Sequence, residues 1–453
     1  MDSANQAKPI LDHSAGRIIV AAASARALAA SSLRACRPVS TIDLFADADT
    51  VSICGQSNRH LSSNQTPNFS VQCESMEQIV QHLEQVLGDP DFQDQFGFAI
   101  LVGGGLENYF RNHTTSHELT ELSSAFVFSE TAQWQNVKEF SSQNSIRFPS
   151  TTRKLDADQK KRRWLVKTNS SSGGLGVQFA RSNVALEPDQ YLQEYIDGRS
   201  ISACFVVGAL DEGEEFPVVE MLGVCEPVPW SAVEVHGQKS DQPFPFRYAG
   251  SIGPINPARL AGSTLAEFKR VGSLVASHFG LSGIFGVDFV LEQDNLWLLE
   301  INPRITASAE LIEYAARETM PNFSIVQLHL DALSGKLDRK SVLIEACHNA
   351  KARDRIFAKK IVYRHYEATQ TLRVTRLHVD ALEGQFGISA WGSELPPATG
   401  AVFMTDIPKP ETDIMAGHPI LTLHVSGESQ SETEQALAQA FEVLETILRE
   451  RLS

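Results

Sequence analysis

Apolar runs alternate with helix-spaced stretches at the start of the chain. RIIVAAAS, Arg17 to Ser24, is an unbroken apolar run of strand length, ARALAASSLRAC (Ala25 to Cys36) has helical composition, and PVSTIDLF returns to a strand. This β–α–β opening predicts a Rossmann-like parallel sheet. VSICGQS, Val51 to Ser57, reads as another short strand, and MEQIVQHLEQVL, Met76 to Leu87, carries apolar residues at helical spacing. GFAILVGGGLENYF then passes from a strand into a glycine turn, so a parallel α/β domain is expected over roughly residues 10–130.

The pattern changes after RFPST, Arg147 to Thr151. A charged segment containing KKRR reads as a solvated loop or strand end, and WLVKTN and VQFAR flank a glycine run as two strands of a hairpin. YLQEYIDGRSISACFVV reads as strand, bend, strand. GSTLAEFKRVGSLVASHFGLSG is a helix with Leu265, Phe268, Val271, Leu274 and Val275 on one face. IFGVDFVLEQDNLWLLEINPR follows as two strands joined at Gln293–Asp294–Asn295. Beyond about residue 335 an α+β region contains IVYRHYEA and ends in the amphipathic stretch SETEQALAQAFEVLETILRERL.

The chain has 453 residues, enough for two to four subdomains. Its net charge of −16 argues against general affinity for nucleic acid or anionic membrane, while leaving room for the few local cations one triphosphate needs. The six cysteines stand singly with no CxxC pair, so reduced core thiols are expected. IIVAAASARALAA resembles a secretory signal in its small and apolar residues, but Arg26 interrupts it and Asp2 and Asp12 precede it. No uncharged stretch reaches membrane-spanning length. The expectation is a cytoplasmic protein without nucleic-acid or membrane partners.

Three stretches carry candidate chemistry. KTNSSSGGLGVQFA, Lys167 to Ala180, sets a lysine before serines and glycines, a composition that can wrap phosphate or form a flexible turn. It is neither a Walker loop nor GxGxxG. In the later hairpin, Glu300 and Asn302 are two apart and share a strand face, and in-register pairing brings Asp288 opposite them. Two carboxylates and an amide oxygen suit Mg²⁺, which takes its remaining ligands from water and phosphate. Arg304, two residues further, adds a guanidinium suited to a phosphate or carboxylate. Gly103, Gly104 and Gly105 follow an apolar strand, where ligands meet an α/β sheet, with Glu107 and Asn108 beside them as candidate contacts.

In this order, KTNSSSGGLGV, LQEYIDG and GVDFVL…LLEINPR resemble the ATP-grasp superfamily. SARALAASSLRACRPVSTIDLFADADT, VGGGLENYF and TDIPKPETDIMAGHPILTLHVSG further resemble its branch of predicted ATP-dependent carboligases related to biotin carboxylase. The resemblance implies α/β and α+β architecture in an ATP-grasp fold. A Rossmann-like domain would span residues 1–130, a two-lobed nucleotide- and metal-binding region 131–335, and a C-terminal α+β region 336–453.

Carried over by motif, the resemblance makes Lys167 a phosphate contact and Gly173, Gly174 and Gly176 a lid over the β- and γ-phosphates. Gln193, Glu194, Tyr195 and Ile196 become the hinge, where the Glu194 carbonyl and the Ile196 N–H read adenine. Asp288, Glu300 and Asn302 would hold one or two Mg²⁺ ions, with Mn²⁺ as a substitute, and Arg304 would steady the activated carboxylate. Three departures matter. Arg199 and Ser200 stand where relatives carry a ribose-holding acid, leaving Asp197 as a substitute. The second phosphate lysine has only Lys138 as a candidate. Ser308 occupies the position of the biotin carboxylase base, with Glu310 displaced by two. Arg247, in PFRYAGSIGP, is a candidate contact to the γ-phosphate or substrate.

The implied activity is an ATP- and Mg-dependent ligase joining a small-molecule carboxylate and an amine through an acyl phosphate, in cofactor assembly for one-carbon metabolism, with a homodimer as the assembly the resemblance suggests. The alternatives are a bicarbonate-using, carboxylase-type ligase and a nucleotide-binding protein without catalysis.

Overall fold

The computed structural model describes residues 16–61, 67–88, 98–106, 131, 133–156, 161–169, 171–181, 184–208, 217–229, 245–337, 340–351, 354–364, 372–376, 380, 387–388 and 402–450. Glu107 and Asn108 lie outside the described residues.

The opening apolar runs form a four-stranded parallel sheet of β1 (Arg17–Ala21), β2 (Val39–Asp43), β3 (Ser70–Gln72) and β4 (Phe98–Val102), in the order β3-β2-β1-β4. Helices α1 (Arg26–Arg34), α2 (Ala48–Ser57) and α3 (Met76–Gly88) connect the strands. Ile18, Ile19 and Val20 are all fully buried, as an unbroken apolar run in a parallel sheet requires. The stretch Val51 to Ser57 corrects the strand expected there. It is the body of α2, whose buried residues Thr50, Ile53, Cys54 and Ser57 recur at three- and four-residue spacing. The short apolar run VSIC carries no length signal of its own, and packing against α1 and β2 selects the helix.

Helix α4 (Trp134–Gln143) leads into a second, antiparallel sheet of β5 (Thr151–Thr152), β6 (Trp164–Thr168), β7 (Val177–Phe179) and β8 (Gln190–Glu194), ordered β5-β8-β6-β7. The expected hairpin around the glycine run is the β6–β7 pair.

The third sheet is the largest. It takes β9 (Arg199–Val207), β10 (Val219–Pro229), β11 (Tyr248–Gly253), β12 (Gly283–Glu292) and β13 (Asn295–Asn302), and continues into β14 (Ile356–Tyr363), β16 (Gly387–Ile388), β17 (Val402–Thr405) and β19 (Pro419–Gly427). Its order is β13-β12-β9-β10-β11-β14-β19-β17-β16, so one sheet draws strands from both sides of residue 335. A separate pair joins β15 (Leu372–Val374) to β18 (Thr412–Ile414). Helix α5 (Gly262–Phe279) buries Phe268, Val271 and Val275 on the β9–β13 face, and α6 (Ala309–Arg317), α7 (Ile325–Leu333) and α8 (Val342–Lys351) follow it. The closing amphipathic stretch is α9 (Gln430–Glu450), packed on β14 and β19. No helix among the described residues is long and apolar enough to cross a membrane.

Candidate functional site

A cleft of about 1060 Å³ runs between the three sheets. Its floor is the β12–β13 hairpin, which turns at Gln293–Asp294 with Gln293 at φ 55°. Asp288 pairs with Glu300 across the strands, but Phe289 pairs with Leu298, leaving Leu299 as an extra residue. This bulge shifts the alternation by one, so Leu298 and Ile301 both reach the core while Glu300 and Asn302 share the opposite, cleft side. Without it, the pattern that buries Leu296 and Leu298 would turn Glu300 inward.

Asn302 Nδ2 donates to Asp288 Oδ2 at 2.9 Å, and Arg304 Nη2 points to Asn302 Oδ1 at 3.4 Å. Burial pushes the Asp288 carboxyl above its ordinary pKa, against the pull of hydrogen bonds from Ser202 and Asn302 and of the charges on Arg304 and Lys167. A cation beside it relieves that cost. Glu300 is exposed to the cleft. Among the described residues no three His, Cys, Asp or Glu side chains converge as a metal site. Two carboxylates with one amide oxygen therefore fit a hard cation that keeps water and phosphate ligands, Mg²⁺ or Mn²⁺, and do not fit an all-protein cage.

Lys167 projects from β6 and its Nζ donates to Gln193 Oε1 at 3.3 Å. Burial works to lower its pKa, but Tyr191, Glu300 and Asp288 outweigh burial and hold it above the ordinary value. The ammonium stays charged, facing the carboxylate pair. The loop after it depends on two glycines. Gly173 and Gly174 have φ of +61° and +76°, and a Cβ on Gly174 would stand 1.9 Å from the Phe246 carbonyl oxygen. The Gly173 carbonyl accepts from Tyr248 N at 2.8 Å, so the loop tip lies against residues 246–248. Gly176 does not line the cleft. It closes the loop base, its carbonyl accepting from Thr168 N at 3.0 Å and its Cα pressed on Ser171.

The 193–196 segment forms one cleft wall. Gln193 is 2% exposed, and Glu194 pairs with Arg162 at 2.9 Å. Tyr195, Phe179 and Phe246 form a cluster of tilted rings, with the Arg163 guanidinium 4.2 Å from the Tyr195 centroid. The Ile196 N–H makes no hydrogen bond among the described residues, which leaves it available to a ligand in the cleft.

The other sequence candidates divide: Lys138 and Asp197 lie outside the cleft lining, while Arg247, Ser308 and Glu310 belong to it. Lys138 does not line the cleft; its Nζ lies 3.4 Å from the Thr151 carbonyl and over the Trp134 ring. Asp197 is exposed and also outside the lining. Arg247 lines the cleft, but its guanidinium stacks 3.7 Å from the Tyr363 centroid and donates to the Gly417 carbonyl at 2.7 Å. Ser308 lines the cleft, its Oγ 3.0 Å from Thr306 Oγ1. Burial would raise the Glu310 carboxyl, yet Arg26 and Lys359 hold it well below the usual carboxylate range.

Several charged lining residues gave no motif signal. Glu226 on β10 lines the cleft and pairs with Arg199. Arg26, Asp47, Lys359 and Asp406 come from three distant parts of the chain, and only the fold assembles them.

Residues 132–308 match the family model of the ATP-grasp domain. A 147-residue stretch is 30% identical to the formate-dependent phosphoribosylglycinamide formyltransferase of Stutzerimonas stutzeri, covering 31% of this chain and 33% of that protein. A 99-residue stretch is 25% identical to the carbamoyl phosphate synthase large chain of Helicobacter pylori, covering 21% of this chain and 9% of that protein. The chain thus spans a third or less of the length of these curated relatives. Among solved structures, an N5-carboxyaminoimidazole synthase from Aspergillus clavatus, in complex with ADP and its aminoimidazole ribonucleotide, superposes with a TM-score of 0.60 at 14% identity, over 96% of this chain and 100% of that one. The biotin carboxylase domain of the Hydrogenobacter thermophilus 2-oxoglutarate carboxylase, with MgADP and bicarbonate, gives 0.60 at 14% identity, over 95% and 90%. The chain therefore carries an ATP-grasp domain across residues 132–308, set within an ATP-grasp fold.

Proposed function

We propose that the protein is an ADP-forming carboxylate–amine ligase that uses ATP and Mg²⁺. The observation that carries this reading is the convergence of Lys167, Asp288, Glu300, Asn302 and Arg304 on one cleft beside the glycine loop. On this reading the Ile196 N–H and the Glu194 carbonyl read adenine, Gln193 and Tyr195 wall the base pocket, and Gly173 and Gly174 let the loop close over the phosphates. Gly176 acts at the loop base.

Asp288, Glu300 and Asn302 would hold Mg²⁺, which neutralises phosphate charge when bound. Lys167 and Arg304 stabilise the charge developing on the transferring phosphoryl group and on the carboxylate. A carboxylate oxygen of the substrate bonds to the γ-phosphorus and ADP leaves. The amine nitrogen then bonds to the acyl carbon, phosphate leaves with the C–O bond electrons, and the amine proton passes to solvent. The closed loop keeps water from the acyl phosphate.

The bicarbonate-using alternative needs a base near Ser308. Glu310, the nearest carboxylate in sequence, is 6% exposed and engaged by Arg26, Lys359 and Tyr314, so it is not free to take a proton. The test is ADP release with Mg·ATP against a panel of carboxylates and amines, bicarbonate included, beside Glu300→Gln. Turnover that needs one carboxylate and one amine, and falls about a hundredfold in the variant, supports the ligase. Turnover on bicarbonate alone transfers the assignment to the carboxylase class, and nucleotide binding without any turnover to a binding protein.

A further inference from the structure

Beyond Arg304 the cleft ends among Arg26, Asp47, Glu310, Lys359 and Asp406, charges that the phosphoryl-transfer chemistry leaves unused. Arg26 is only 5% exposed, yet it lines the cleft. Its Nε donates to Asp406 Oδ1 at 3.2 Å and its Nη1 to Glu310. Among the described residues its Nη2 has no hydrogen-bond partner, although a guanidinium nitrogen there carries two donors. Lys359 donates to the Ala307 carbonyl and to Glu310 Oε2 at 2.9 Å, which leaves a third N–H.

The acids divide into two kinds. Asp43 accepts from the backbone N–H groups of Ala25 and Ala46, and Asp49 from those of Asp406 and Ile407, so both are committed to the fold. Asp47 is not. It sits at the N-cap of α2 without capping it, and its carboxylate has no hydrogen-bond partner among the described residues. Burial and repulsion from Asp406, Asp49 and Asp43 push its carboxyl well above the usual range, a cost that a cation in the cleft would relieve.

One guanidinium nitrogen, Arg26 Nη2, and one carboxylate, that of Asp47, thus line one end of one cavity without a hydrogen bond among the described residues. A simple amine would leave Arg26 Nη2 unmet, and a dicarboxylate would meet Asp47 with like charge. A ligand carrying both signs satisfies both groups. We propose that this end of the cleft binds the amine co-substrate, and that this co-substrate is an α-amino acid, its carboxylate on Arg26 Nη2 and Lys359 and its ammonium at Asp47 and Asp406. The assignment rests on the ligase reading above.

The test is calorimetric titration of the full chain with the common L-amino acids in the presence of Mg·ADP. The tightest binder is then compared with its decarboxylated amine and its deaminated acid. The amino acid is expected to bind about tenfold or more tighter than either half. Asp47→Asn, at a side chain with no hydrogen bond among the described residues to lose, should weaken the amino acid by about tenfold while leaving the deaminated acid and Mg·ADP unchanged. Arg26→Lys, which keeps the buried charge but removes the fork, should weaken the amino acid and the deaminated acid alike. The subsite is overturned if no amino acid titrates, if the decarboxylated amine binds as tightly, or if Asp47→Asn has no effect. Failure of Mg·ADP to bind would instead sink the ligase reading, and the same titrations without nucleotide would then decide the subsite alone.

Discussion

The guanidinium of Arg304 lies against Gly104, its Nη2 3.4 Å from where a Cβ on that glycine would stand. The glycine turn after β4 and Arg304, just past the β12–β13 hairpin, thus lie about one methyl group apart across the cleft, although 200 residues of sequence separate them. A branched side chain at 104 cannot share that space. Gly104→Val is expected to displace Arg304, reducing turnover about a hundredfold while Mg·ATP binding changes less than threefold. Steady-state ADP release beside equilibrium nucleotide binding checks it, and parallel loss of both would contradict it.

The two glycines of the loop tip should respond unequally to alanine. At Gly173 a Cβ meets nothing within 4 Å, so Gly173→Ala carries only the left-handed backbone cost of about 1–2 kcal/mol. At Gly174 the same methyl runs into the Phe246 carbonyl oxygen. Gly174→Ala should therefore lift the loop from residues 246–248 and raise the KM for ATP about tenfold more than Gly173→Ala does. Equal effects would mean that the contact with Phe246 is irrelevant to nucleotide binding.

His424 makes stability depend on pH. It is 1% exposed, and burial lowers its pKa to about 3. The unfolded chain, with an ordinary imidazole near 6.5, binds the extra proton first, so this residue's contribution is full above about pH 6.5 and falls as pH drops toward 3. At pH 5 the loss is about 2 kcal/mol. Asp49, raised to about 7 by burial and repulsion from Asp406, acts in the opposite direction, favouring the fold as pH falls. A comparison with His424→Gln isolates the histidine. Urea unfolding at pH 7 and pH 5 should show a smaller acid loss in the variant, and identical losses would exclude the buried neutral imidazole.

Arg34 on α1 and Glu313 on α6 form an ion pair with both side chains more than nine-tenths buried, and Glu313 also accepts from Ile325 N at 3.3 Å. Removing one partner leaves a buried charge uncompensated. Glu313→Gln should cost about 3 kcal/mol in unfolding free energy with unchanged m-value. A loss below about 1 kcal/mol would place the pair among weak surface contacts.

The chain's local chemistry was readable where one element carries it. Asp288, Glu300 and Asn302 stand on a single hairpin whose turn is visible in sequence, and their two-residue spacing puts Glu300 and Asn302 on one face, but the pairing of Asp288 with Glu300 depends on the extra residue at Leu299. The bulge at Leu299 was not visible, because an extra residue among leucines leaves no break in an apolar run. VSIC was misread for a related reason: four residues are too few to separate strand from helix, and the surrounding packing decides. The ionic end of the cleft had no local signature at all. Arg26, Asp47, Lys359 and Asp406 are ordinary charges in sequence, and what distinguishes them is burial against one another, a property of the assembled fold.

The segments at either end of the small β5–β8 sheet both rest on the β12–β13 hairpin. On entry, Arg147 bridges to Trp297 and its carbonyl accepts from Leu298 N at 2.9 Å. On exit, Gly198 presses so closely on Leu291 that a Cβ would stand 2.5 Å from its carbonyl oxygen. The small sheet shares no strand with the nine-stranded one. Its entry and exit are therefore both seated on β12 and β13, at one edge of a sheet that hydrogen-bonded strands extend through to β16. Any movement of the small sheet against the large one would turn about the hairpin that bears Asp288, Glu300 and Asn302, carrying Lys167 relative to them.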